Sequence, residues 1–198
     1  FVIEKTGLKP IWLGHSLGGV LIATAVAAGT LPQSQIAGLV LLGTQVLRRR
    51  WFFQIPLVAE LGKLLFRFKS EMDGRKLKIG PENEPAGIAK EYLNWFGLCK
   101  QWQFKGSNVS LLEQWQAVSL PLLSVVAKND QSDPAKYCQA FHELCGSTTK
   151  TLALLAQSEG FSRDFGHVDM VVSKEATDEV WPLIAQWLNS IEPLTAAQ

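Results

Sequence analysis

Between Pro10 and Leu47 the sequence holds no Asp, Glu, Lys or Arg. A charge-free tract of that length raises the question of a membrane span. The apolar run after Ser16 lasts only about a dozen residues before TLPQSQ interrupts it, short of the roughly 20 that a spanning helix needs. Buried segments of a folded domain are the better reading. Cysteine is also scarce, with only Cys99, Cys138 and Cys145. Three thiols cannot all pair, and no C-x-x-C or Cys/His spacing occurs, so neither a disulfide framework nor a metal site is expected. Buried thiols in a reducing, cytoplasmic setting are the expectation. A basic leader followed by a short apolar stretch and a cleavage site is missing, so no signal peptide is visible. A net charge of +1 gives no broad electrostatic footprint for nucleic acid.

What the chain does contain is apolar surface. It is 198 residues long and 47% hydrophobic, enough for one domain with a sizeable core and an insertion. Four continuous apolar runs read as strands: PIWLG (Pro10–Gly14), IAGLVLLG (Ile36–Gly43), LPLLSVVA (Leu120–Ala127) and TLALLA (Thr151–Ala156). Continuous rather than alternating runs suit a parallel sheet covered by helices on both faces. Helices are expected over Leu17–Ala28, stopped by Gly29, and over Pro134–Cys145, stopped by Gly146. In the second of these, Asp133 is the candidate N-cap and Pro134 the first helical residue. A last helix is expected over Thr177–Ser190, with Pro182 marking a later start or a bend. Strand and helix alternate, so the class is α/β.

The interval Thr44–Ser119 is different. It holds twelve Lys/Arg against seven Asp/Glu, four of the seven Trp and six of the ten Phe. Its apolar spacing (Leu57, Leu61, Leu64, Leu65, Phe68, then Ile88, Tyr92, Trp95, Phe96, Cys99) is helical. It reads as a distinct, basic, aromatic unit inserted into a slightly acidic core. Within it, Arg48–Lys69 is amphipathic enough to touch a lipid surface weakly, or else to pack on the core.

The chemistry is concentrated at GHSLG, a G-x-S-x-G pattern at Gly14, Ser16 and Gly18, set between an apolar strand and a small-residue helix. Gly14 and Gly18 are expected to relieve crowding on a tight turn that presents the Ser16 hydroxyl. The Leu17 N–H, at the helix N-terminus, would face a developing oxyanion. Serine needs a base and an orienting acid. The third strand runs into AKNDQSDP and the fourth into SEGFSRDFGHVDM, which places a carboxylate and a histidine at the same edge of the sheet as Ser16. Asp130 is the candidate acid, with Asp133 as its rival; His167 is the candidate base. His15 reads as a packed neighbour, His142 as a surface residue, and Asp164 and Asp169 as residues that stabilise the loop.

In this order, Ser then Asp then His, the chain resembles the α/β-hydrolase family over essentially its whole length. Ala127, Asp130 and Pro134 reproduce the family's acid-loop spacing, Gly166-His167 matches its Gly-His loop, and EVWPLIAQWL resembles its closing helix. The resemblance implies Ser16 as nucleophile, His167 as general base and then acid, Asp130 as the residue that orients the imidazole, and Leu17 as an oxyanion donor. It implies a small-molecule or acyl-chain ester substrate and requires no metal or cofactor. The interval 44–119 falls where relatives insert a helical cap, dividing the core into residues 1–43 and 120–198. Only the family's last four strands are represented, so the first strand is expected at an open edge although it reads as buried. The chain is accordingly expected to be a fragment lacking roughly 100 residues on its N-terminal side. A thioesterase, a peptidase or an acyltransferase using the same triad, and a non-catalytic ligand-binding protein of the same fold, remain open alternatives.

Overall fold

A computed structural model describes residues 2–48, 61–62, 64–65, 68–73, 83–94, 102–104 and 107–191. The chain divides into two units, Phe1–Arg48 with Glu113–Gln198, and Arg49–Leu112.

The first unit is built on a four-stranded, fully parallel sheet in the order β1-β2-β5-β6. Its strands are β1 (Ile11–His15), β2 (Gly38–Leu42), β5 (Leu122–Ala127) and β6 (Lys150–Leu155). All four lie within a residue or two of the apolar runs that announce them. Every residue of β2 and β5 is buried, as a central strand with helices on both faces requires. The register sets His15 beside Leu42 and Ala127 beside Leu155. The C-terminal ends of the strands therefore share one rim.

One face of the sheet carries the main core. Val40, Leu42, Leu123, Val125, Ala127 and Leu155 pack with Phe165, Met170, Ala176, Val180 and Ile184, and Trp181, Leu183, Trp187 and Leu188 lie against this cluster. A single π-helical turn at Ala176–Val180 leads into helix α7 (Trp181–Ser190), which has Pro182 in its first turn. The backbone stays helical through Glu175, Val180 and Trp181, so Pro182 lies within a continuous helical run, and the π-helical turn just ahead of it is where that run departs from regular α-helix. Helix α2 (Leu17–Ala27) follows β1 and buries Val20, Ala23 and Val26. Gly29, just beyond its C-cap, has φ +73°.

Helix α5 (Ala135–Leu144) departs from two expectations. Pro134 is its N-cap, and no side chain caps it; Asp133 is engaged elsewhere. His142 is buried rather than on the surface, 4% exposed, with Nδ1 2.9 Å from Ser124 Oγ of β5. Ser124 interrupts the apolar run of β5, and its hydroxyl gives the ring a partner inside the core. Lys150 closes the end of α5 by donating to the carbonyls of His142, Glu143 and Cys145. The indole of Trp115, at the end of helix α4 (Leu111–Trp115), stacks on Phe141 at 4.8 Å and donates to its carbonyl. Cys138 and Cys145 are buried and unpaired.

The strand expected to be buried but edge-placed is the one that stands out. β1 has β2 on one side only, and Trp12 and Leu13 are 40% and 43% exposed. Leu17 and Leu21 of α2 are exposed too. An apolar run written for an interior strand thus borders solvent.

In the second unit, helix α3 (Ala86–Asn94) fits the helical spacing around Ile88. A two-stranded antiparallel pair, β3 (Glu71–Met72) with β4 (Glu84–Pro85), was not signalled by the apolar pattern. Leu57, Trp95, Phe96, Cys99 and most of Arg48–Lys69 lie outside the described residues. Leu61, Leu64, Leu65 and Phe68 are exposed. Among the described residues, no helix is long and apolar enough to cross a membrane.

Candidate active site

Ser16 stands at the junction of β1 and α2 with φ +52° and ψ −121°. That region is sterically costly for a residue with a Cβ, by about 1–3 kcal/mol. Neighbouring contacts hold it there. Its N–H donates to Leu42 O at 2.9 Å, and its carbonyl accepts from Val20 N at 3.0 Å. A Cβ at Gly14 would sit 2.6 Å from Gly19 N, so only glycine allows the helix to start this close to the strand. The second glycine of the motif behaves otherwise. Gly18 faces open space, and Gly19 is the residue pressed against the Thr44 side chain. The steric role expected of Gly18 thus belongs to Gly19. Leu17 opens the first turn of α2, directly beside the serine.

The candidate acid and the candidate base meet across two loops. Asp130 Oδ2 accepts from His167 Nδ1 at 2.7 Å, and the Asp130 side chain is fully buried. Its Oδ1 accepts the N–H groups of Ser132 and Asp133 at 2.8 and 2.7 Å. With both carboxylate oxygens engaged, the imidazole is held in one tautomer and one orientation. The hydrogen bond that His167 donates to Asp130 raises the His167 pKa above its ordinary value, against the opposing effect of burial. The two loops are tied by Asn129 N to Phe165 O at 2.8 Å. Asp169 accepts from Gly166 N and pairs with Arg163, and Asp164 accepts from Gln157 N. His15 packs on the His167 ring at 4.6 Å and donates Nε2–H to the His167 carbonyl. Burial, and then the neighbouring His167, lower the His15 pKa. Gly43, with φ +50°, passes so close that a Cβ would sit 3.2 Å from Asp130 Oδ2.

Ser16 itself turns to a different partner. Its hydroxyl donates to Asp133 Oδ2 at 3.4 Å and makes no hydrogen bond to His167. The same Asp133 oxygen lies 3.9 Å from His167 Nδ1. Asp133 Oδ1 accepts from Gln45 Nε2 at 2.6 Å. Gln45 in turn is fixed by the N–H groups of Leu47 and Arg48, which both donate to its Oε1. Burial raises the Asp133 pKa, and the Gln45 bond offsets part of that rise.

The structure therefore gathers Ser16, Leu17, Asp130 and His167 at one rim of the sheet. It joins Asp130 to His167 but leaves the serine bonded to the carboxylate that the sequence assigned to a helix cap. Gln45 carries no motif and was not anticipated. The signal for it was indirect: a polar residue just past a fully apolar strand. Among the described residues, no group of three or more His, Cys, Asp and Glu side chains is arranged to hold a metal ion.

No protein-family model and no curated protein sequence matches the chain. Solved structures do. A monoacylglycerol lipase from Paleococcus ferrophilus is similar over 96% of this chain and 72% of its own, with TM-score 0.62 and 15% identity. A soluble variant of the Saccharomyces cerevisiae monoglyceride lipase, in complex with a substrate analog, is similar over 100% of this chain and 66% of its own, with TM-score 0.62 and 16% identity. A thermophilic esterase from Thermogutta terrifontis is similar over 96% and 69%, with TM-score 0.55 and 17% identity. At such identities the likeness is one of fold.

Proposed function

The chain has the α/β-hydrolase fold, and on that frame we propose that it is a serine hydrolase of carboxylic esters. The observation that carries the reading is the Asp130–His167 hydrogen bond beside a serine held at positive φ. In the proposed cycle the Ser16 hydroxyl leaves Asp133 and turns to His167 Nε2, which takes its proton as Oγ attacks the ester carbonyl. The Leu17 N–H stabilises the oxyanion. Collapse breaks the carbonyl–alkoxy bond, and His167 returns the proton to the departing alcohol. Water, deprotonated by the same ring, then attacks the acyl-enzyme. Its oxygen bonds to the carbonyl carbon, the Oγ–carbon bond breaks, and the proton passes back to Ser16.

The named activities of the structural neighbours favour acyl esters, including monoacylglycerols, as substrates. We take the unit Arg49–Leu112 to correspond to the family's cap insertion. We also take the four strands as part of a larger sheet that continues beyond β1. Two observations support this: the exposed Trp12 and Leu13 on an edge strand, and the portion, up to about a third, of each neighbour that the chain does not span. Such strands would supply a second oxyanion donor, and losing one donor costs about 10²–10³ in rate. Turnover by the chain alone is accordingly expected to be weak.

Covalent labelling tests the chemistry without requiring fast turnover. A fluorophosphonate should attach to Ser16, as read by peptide mass spectrometry, and Ser16→Ala and His167→Ala should each abolish the adduct. A folded protein that stays unlabelled would instead support a non-catalytic, ligand-binding role.

A further inference from the structure

Asp133 is the feature of the site that the proposed cycle does not use. An ordinary ester site has no need of a second carboxylate, because Asp130 already satisfies His167. Yet Asp133 Oδ2 accepts from the Ser16 hydroxyl at 3.4 Å, and neither Asp130 nor His167 bonds that hydroxyl. The side chain is not loosely placed. Gln45 clamps its other oxygen at 2.6 Å, and Gln45 is itself 9% exposed and locked by two backbone N–H groups. The Asp133 N–H is tied to Asp130. Arg48 is nearby but spends its guanidinium on the carbonyls of Gln131 and Ser132. The Asp133 side chain is 17% exposed.

We propose that Asp133 is a substrate-recognition residue, forming a subsite for a hydrogen-bond donor, ammonium or hydroxyl, on the alcohol portion of the ester. This rests on the hydrolase reading given above. The side is set by geometry. Asp133 flanks His167, and the leaving oxygen must approach that ring to collect its proton. When substrate arrives, the Ser16 hydroxyl gives up its bond to Oδ2 and turns to the base. The freed oxygen then needs a new donor, and the substrate provides it. A substrate with a carboxylate in that position meets like charge in a half-buried setting and is rejected. A neutral apolar group leaves Oδ2 without a replacement partner, which buried acceptors tolerate poorly.

The experiment uses three matched phosphonates that differ only in the leaving alcohol: one carries a primary ammonium, one a methyl group in its place, and one a carboxylate. Rates of Ser16 adduct formation are compared as ratios, so a weak oxyanion hole affects all three alike. The protein should react with the cationic probe at least about tenfold faster than with the methyl probe, and more slowly still with the anionic one, as expected for unit charges a few ångströms apart at intermediate dielectric. Asp133→Asn should compress the three rates to within about threefold, and Asp133→Glu should keep their order. Equal rates for the three probes on the unaltered protein overturn the proposal, whether or not the variants fold. So does a charge order that survives in folded Asp133→Asn. Failure of every probe, including a simple fluorophosphonate, overturns the hydrolase reading and this proposal with it. Labelling without charge preference overturns this proposal alone.

Discussion

His167 and His142 are shifted in opposite directions, and each shift has a measurable consequence. The bond to Asp130 raises His167 above its ordinary pKa of 6.5. A general base works only when neutral, so labelling of Ser16 should increase with pH through an inflection above 6.5. In Asp130→Asn the inflection should fall and the plateau rate should drop at least about 100-fold, the range over which general-base catalysis contributes. Adduct formation measured from pH 5 to 9 checks both. The stability contribution of the pair runs the other way: it is fully present below 6.5 and lost as pH rises through the folded value. His142 is lowered, chiefly by burial and then by Lys150. It folds neutral, so its contribution is present above 6.5 and fades as pH falls through its folded pKa. Removing its ring leaves Ser124 Oγ without that partner, and His142→Ala should cost about 1–3 kcal/mol in denaturant unfolding. That Ser16, Asp130 and His167 share one rim was legible because each sits at a fixed offset from an apolar strand. The sequence misassigned His142 and Asp133, because a lone polar residue in a helix or loop carries no mark of what the fold will bring against it. Gln45 was invisible for the same reason.

The main elements were legible to within a residue or two because apolar runs of five to eight residues flanked by turn residues leave few alternatives. Pro182 carried an ambiguity, a late start or a bend; the helical run begins before it, and the irregularity is the π-helical turn at Ala176–Val180 just ahead of the proline. The small pair Glu71–Met72 with Glu84–Pro85 escaped notice because two-residue strands show no periodicity. The element that most depends on packing is α7. Ile184 is 2% exposed and sits in the cluster with Val125 and Leu155. Ile184→Ala should cost about 2–5 kcal/mol, as cavity-forming substitutions in well-packed cores do. Urea titration would report it, and a loss under 1 kcal/mol would show this face to be loosely packed.

For the molecule as a whole, the notable property is the mismatch between how β1 is written and where it lies. Its composition belongs to a sheet interior, whereas its position is an edge with apolar side chains on both faces in contact with water. Exposed strand edges of this kind recruit further strands, native or otherwise. That was foreseeable from the Ser, Asp, His order and the strand count together, though not from the β1 sequence alone, which looks the same in either setting.

The common direction of the four strands also gives the sheet two unlike rims. Ser16, Asp130 and His167 collect on one, and the turn carrying Thr148 and Thr149, both exposed, lies on the opposite one, just before β6. A resin linker or dye anchored at that turn would present the serine outward to the medium. The fold thus offers a ready direction for oriented immobilisation, with the working rim kept clear of the support.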